Sequence, residues 1–337
     1  MLNQASANNA SRDPASTLPE LELSALESFC KASADQLRLQ VMRVLRNDSF
    51  GVSELCTLFD IRQPAMSHHL KVLSKAGLVA TRREGNSIFY RRGVTTPGSE
   101  LKPLQDQLVA TVDQINLPDD VQSRVLNLYQ QRKESSREFF RGNAGKFREQ
   151  QDLIASYEQY AQTVSEVLAQ AMPGNSQLAL EIGPGDGSFL SELSPRFQRV
   201  IALDNAVEML DQARAQANDL GLDNIDFIHG DTSNKLLDDV QADCIVINMV
   251  LHHTPSPADI FQDVARRLAS GGTVLVTDLC SHDQTWAREN CGDLWLGFEP
   301  EDLTHWAREA GLTDITSVYL AQRNGFQIQV RLFGHRQ

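Results

Sequence analysis

Apolar residues recur at helical spacing through the first quarter of the chain. Leu21, Leu23, Leu26 and Phe29 share one face of a segment over 20–34, and Leu37, Leu39, Val41, Met42, Val44 and Leu45 load another over 35–46. A short helix follows over Val52–Phe59. The next starts at Arg62-Gln63-Pro64 and carries Met66, Leu70, Val72 and Leu73. Proline fits a first helical turn, where its missing N–H has no partner, and Gly77 stands where helices stop. Two strand-like runs, Leu78–Arg83 and Ser87–Arg92, meet at Glu84-Gly85-Asn86, where Gly and Asn tolerate the positive φ of a hairpin turn. Residues 93–99 read as a linker, 100–115 as a helix, and Leu117-Pro118 as a second break. A long polar helical stretch over 119–172 contains Phe139, Phe140, Phe147 and Tyr157. From Gln177 the pattern alternates: apolar runs at Leu178–Ile182, Val200–Leu203, Ile225–Ile228, Cys244–Met249 and Thr273–Thr277 are separated by helix-like segments. That alternation predicts a doubly wound, mainly parallel sheet.

The expected fold class is an α+β winged helix-turn-helix domain followed by an α/β doubly wound, Rossmann-like domain. The expected bounds are a loose tail over 1–18, a first domain over 19–116, a helical connector over 117–172 and a second domain over 173–337. With 337 residues, 41% of them hydrophobic, the chain is long enough for two cores. No run of about 18 apolar residues predicts a membrane span. The five cysteines are scattered without C-x-x-C spacing, which fits a reducing cytoplasm and argues against a cysteine metal site. A net charge of −13 is wrong for a nucleic-acid binder, yet between Arg62 and Arg92 seven Lys/Arg face one acid, a local +6.

The segment Phe29–Gly93 resembles the ArsR/SmtB family of winged-helix repressors. The resemblance lies in Leu37-Arg38-Leu39, Ser53-Glu54-Leu55-Cys56, the run Gln63-Pro64-Ala65-Met66-Ser67-His68-His69-Leu70-Lys71-Val72-Leu73, Ala76-Gly77-Leu78-Val79 and Arg82-Arg83-Glu84-Gly85-Asn86. The helix from Gln63 to Lys75 is then expected in the major groove of a double-stranded operator. Gln63, Ser67 and His68 would read bases, and Lys71, Arg82 and Arg83 would hold phosphates. The resemblance also implies a homodimer built on Leu21–Phe29 and Leu101–Ile115. Many such relatives sense metals, but Cys56 stands alone with Leu58 in the second position of the usual cysteine pair. Residues 100–115 hold no histidine, so no metal is expected.

In the second half, Leu178-Ala-Leu-Glu-Ile-Gly-Pro-Gly-Asp-Gly follows the first predicted strand, Asp204 ends the second, and Gly230-Asp231-Thr232 follows the third. Such a glycine loop lets a ligand approach the backbone at the carboxyl edge of the sheet. Together with Asp243–His253 and Gly271–Asp278, these features resemble class I S-adenosylmethionine-dependent methyltransferases. The resemblance implies S-adenosylmethionine or S-adenosylhomocysteine as cofactor. Gly183, Gly185 and Gly187 would line its methionine and ribose, with Glu181 supporting the loop or the amino group. Asp204 would bind ribose and Asp231 adenine, with Asn248 flanking the ligand. The catalytic residue stays unassigned, His252 being the candidate base. The combined order resembles S-adenosylhomocysteine-responsive regulators of the methionine cycle. The alternative is an active small-molecule methyltransferase that carries an autoregulatory DNA-binding domain.

Overall fold

The computed structural model describes residues 23–84, 87–93, 99–171 and 176–335. The expected tail over 1–18, the turn residues Gly85-Asn86 and most of the linker lie outside them. Helices α1 (Leu23–Ser33), α2 (Gln36–Val44), α3 (Val52–Phe59) and α4 (Gln63–Lys75) precede a three-stranded antiparallel sheet. That sheet is ordered β1-β3-β2 from β1 (Phe50–Gly51), β2 (Val79–Glu84) and β3 (Ser87–Arg92), and α5 (Lys102–Val112) follows it. Asp35 starts α2 by accepting from the Arg38 N–H at 3.0 Å, one of the donors a helix start leaves without a partner. Val41, Met42, Leu55, Met66, Leu70 and Leu73 are fully buried and form this domain's core.

The expected connector divides between the two domains. Helix α6 (Asp119–Asn143) sends Val121, Val125 and Leu128 into the winged-helix core. After α7 (Phe147–Ile154), α8 (Tyr157–Ala171) lays Tyr160, Val164, Val167 and Leu168 on the second sheet. The second domain then runs through β4 (Ser176–Ile182), α9 (Leu190–Leu193), β5 (Phe197–Asp204), α10 (Val207–Asp219), β6 (Ile225–His229), β7 (Ala242–Asn248) and α11 (Pro257–Arg267). It closes with β8 (Leu268–Leu279), α12 (Trp286–Cys291), α13 (Pro300–Glu309), β9 (Leu312–Ala321) and β10 (Gln327–His335). The sheet order is β6-β5-β4-β7-β8-β10-β9, with β4 to β8 parallel and β10 antiparallel to both its neighbours. The five predicted strands are present. The last two were missed because β9 is an edge strand that leaves Ile315 and Tyr319 exposed, so its apolar pattern is broken. Among the described residues no helix is long and apolar enough to cross a membrane.

The β2–β3 hairpin does not stand free. Arg82 is buried, pairs with Glu84 and with Asp302 (3.6 Å), and donates to the Gly297 carbonyl at 3.1 Å. Arg91 reaches Asp302 at 3.3 Å, and Arg288 of α12 pairs with Glu84. Phe89 packs edge-on to Trp295, and the Trp306 indole N–H donates to the Asn47 carbonyl at 2.7 Å. The aromatic segment around Trp295 and Trp306 therefore packs between the two domains. Removing one partner of a buried ion pair leaves the other charge uncompensated. Asp302→Ala is expected to cost about 3 kcal/mol in urea unfolding and to split the calorimetric melt into two transitions.

Candidate functional site

A cavity of about 490 Å³ opens at the carboxyl ends of β4, β5 and β7, with α6 across its mouth. The size suits a nucleotide-scale ligand. Its floor is the loop after β4. Gly183 has φ +66°, and a Cβ there would stand 2.5 Å from the Val250 side chain. Gly187, at φ +84°, lets α10 approach until a Cβ would lie 2.9 Å from the Ala213 Cα. Both positions exclude any side chain. Met249, just past β7, is held at φ +56° while its N–H donates to the Thr277 carbonyl at 2.7 Å. Positive φ in a non-glycine residue stores strain, which concentrates at functional sites.

Two polar side chains in this wall, Glu181 and Asn248, carry atoms without a hydrogen-bond partner among the described residues, and a third, Asp204, is buried against backbone N–H donors. Glu181 is 1% exposed, and its Oε2 has no hydrogen-bond partner among the described residues. Burial, with Asp186 nearby, pushes its carboxyl up to about 8. Asp204 accepts from the Ala206 N–H at 2.8 Å, and burial raises it to about 6. Neither Nδ2 nor Oδ1 of Asn248 has a partner among the described residues. Buried polar groups are normally paired, so these orphans mark where a polar ligand is expected. Asp231 differs: Ser233 takes one oxygen and Lys133 of α6 the other. Burial works against its charge, but the hydrogen bonds from Lys133 and Ser233 prevail and hold the carboxyl below its usual range.

The structure thus brings Glu181, Gly183, Gly185, Asp204, Asp231 and Asn248 to one cavity, with Gly187 packed behind it. It corrects His252, which is fully buried with Nδ1 against Asp278 at 2.8 Å and does not line the cavity; the next residue, His253, does. Burial, then the charge of His252, lowers the His253 pKa well below the usual imidazole value. The contributions of α6, Tyr129, Lys133, Ser136 and Phe140, went unrecognised because a polar helical stretch carries no motif.

On α4, Gln63, Ser67, His68 and Lys71 are exposed along one face while Met66, Leu70 and Leu73 are buried on the other. Arg83 is exposed too. Arg82 is the correction here: buried and paired with acids, it has no reach to a phosphate. The local +6 shrinks likewise, because Arg91 pairs with Asp302 and Arg92 with Asp113 at 2.6 Å.

Asp48 joins the two regions. It accepts from Tyr129 of α6 and from Ser256 of the cavity wall at 2.9 Å, and burial raises it to about 6. An acid whose folded pKa lies above its unfolded value binds the extra proton only when folded. Stability therefore falls as pH rises from about 4 to about 6. Asp48→Asn should flatten that part of the urea-stability profile and add roughly 1–2 kcal/mol at pH 7.5.

Residues 35–81 match the family model for the bacterial regulatory protein, arsR family, and residues 180–276 match a methyltransferase domain. The biofilm growth-associated repressor of Agrobacterium fabrum is 45% identical over 76 residues, 22% of this chain and 65% of that protein. The chain thus spans less than two thirds of it. The transcriptional activator HlyU of Vibrio cholerae is 33% identical over 93 residues, 27% of this chain and 82% of its own length. A methyltransferase chain from the complex with the Haloferax volcanii Trm112 methyltransferase activator superimposes with a TM-score of 0.50 at 18% identity. It covers 60% of this chain and 99% of its own, which shows the fold of the second half.

Proposed function

The chain belongs to the arsR family of bacterial regulatory proteins and carries a methyltransferase domain behind its helix-turn-helix; on that premise we propose that it is a DNA-binding repressor whose methyltransferase-fold domain takes S-adenosylhomocysteine or S-adenosylmethionine as effector. The exposed face of α4 with Gln63, Ser67, His68 and Lys71 reads a double-stranded operator, and Arg83 holds a phosphate. A homodimer through α1 and α5 is consistent with Leu23 and Leu104, which are large apolar residues exposed on those helices. A twofold dimer calls for a pseudo-palindromic operator. The ligand's ribose goes to Asp204, its adenine to Asp231 and its amino group to Glu181. Methionine-cycle genes are the proposed targets, since those two ligands report on methyl-donor turnover.

The observation that carries this reading is the double duty of α6. Lys133 pairs with Asp231 in the cavity, and one residue earlier Arg132 pairs with Glu54 of α3 at 2.7 Å. Arg124 on the same helix donates to the Leu58 carbonyl at the end of α3 at 2.7 Å. A ligand that competes with Lys133 for Asp231 therefore acts on the helix that positions the helix-turn-helix. Such control needs a ligand with different affinity for the two arrangements. Methyl transfer is a second reading, favoured by His253 and Met249 in the same wall.

Fluorescence anisotropy on promoter DNA at fixed salt tests the first reading. S-adenosylhomocysteine should shift DNA affinity about tenfold, which is roughly 1.4 kcal/mol of coupling, and Asp204→Ala should abolish the shift while leaving unliganded DNA binding intact. Tight DNA binding indifferent to both adenosyl ligands would overturn it. Lys133→Met should tighten S-adenosylhomocysteine binding about three- to tenfold, read by calorimetry, because Asp231 loses its competitor, and should shrink the ligand's effect on DNA.

A further inference from the structure

Beside the cavity, and sharing His253 with its wall, three buried side chains converge. One donor atom each from His252, His253 and Asp293 lies within 4.8 Å of the others. Asp293 Oδ1 stands 4.0 Å from His252 Nε2 and 3.8 Å from His253 Nδ1. His252 is 0% exposed and Asp293 3%, and neither His252 Nε2 nor either Asp293 oxygen has a hydrogen-bond partner among the described residues. Buried polar atoms without partners are costly, a penalty a fold sustains where something else satisfies them.

The surroundings hold these groups in place. Asp278 Oδ2 accepts from the Leu251 N–H at 2.9 Å, and Oδ1 accepts from the Leu279 N–H at 2.8 Å. In the tautomer whose His252 Nδ1–H donates to this fixed carboxylate at 2.8 Å, the Nε2 lone pair lies on the Asp293 side. A carboxylate behind an imidazole in this way orients metal-ligating histidines. The Leu294 and Trp295 N–H groups both donate to the His252 carbonyl, at 2.9 and 3.1 Å, so the two segments that bear the ligands are stitched together.

We propose that His252, His253 and Asp293 bind a single divalent transition ion of the zinc class. Two imidazole nitrogens and one carboxylate oxygen make a three-ligand set that leaves a coordination position open. Metal–ligand bonds near 2.0–2.1 Å place tetrahedral ligand atoms roughly 3.3 Å apart. The two Asp293 spacings need to close by about half an ångström for such bonds to form. His253 ligates through Nδ1, giving up its 3.3 Å contact with the Gly292 carbonyl and carrying its proton on Nε2. Magnesium is the wrong occupant, because it prefers an octahedral shell of oxygens. The segment that ends in Asp293 also bears Arg288, the partner of Glu84, so a bound ion pins the piece of the second domain on which the hairpin rests.

The test uses the full-length protein, stripped with chelator and titrated with Co²⁺ and then Zn²⁺. One equivalent of Co²⁺ should give the visible absorption of a four- or five-coordinate ion. Zn²⁺ should bleach it and raise the melting temperature. Asp293→Asn and His252→Gln, each confirmed folded by circular dichroism, should lose the band and weaken Zn²⁺ binding roughly 100-fold or more. Asp293→Asn keeps the side-chain shape while weakening the metal ligand, so loss of the band reports the site and not the fold. Absence of the band in the wild type, or its retention in both variants, would overturn the site. Neither DNA nor nucleotide enters this readout, so its failure leaves the regulator reading untouched.

Discussion

One helix cannot move in two places independently, and α6 has a stake in both domains. At 25 residues and about 1.5 Å per residue it is a rod of nearly 40 Å. Its start is packed in the winged-helix core by Val121 and Val125, and its later turns border the cavity through Lys133, Ser136 and Phe140. The joint beside it is built largely of ions: Arg82, Glu84 and Asp302 meet with little access to water, and the partly exposed Arg288 joins them. Buried ion pairs contribute little net stability against an apolar alternative, but they tolerate only a narrow set of geometries. A joint of this kind makes the relative placement of the two domains specific, which a greasy interface would not.

The same joint resolves the conflict between an acidic chain and a DNA-facing surface. Arginines that read in the sequence as a basic island divide by burial. Arg82, Arg91 and Arg92 pair with acids from elsewhere in the chain; Lys71 and Arg83 are exposed. Affinity for phosphate scales with the cations that remain at the surface, so the usable charge is smaller and more localised than the count implied.

Local signals were legible in the sequence. Pro64 and Gly77 bracket α4, and the glycines after β4 with Asp204 after β5 announced the cavity, because those features act over a few residues. What escaped depends on chain segments far apart. Nothing near Arg82 discloses that Asp302 awaits it. His252 and Asp293 are separated by two intervening helices and a strand, and Lys133 finds Asp231 only after two domains have packed. The choice between His252 and His253 turned on which imidazole faces the cavity, a matter of one short helical turn after β7 that no spacing rule resolves.

The strand order has a consequence in time. β10 lies between β8 and β9, and among the described residues β9 pairs with no other strand. The sheet therefore cannot close until residues 327–335 have left the ribosome, whereas the residues of the winged-helix core are available long before. Domains generally fold in order of synthesis, at about 5–20 residues per second. For some ten seconds or more each nascent chain carries a DNA-binding half while Asp302, which will brace its hairpin, and Trp306, which will bind the Asn47 carbonyl, are still being translated.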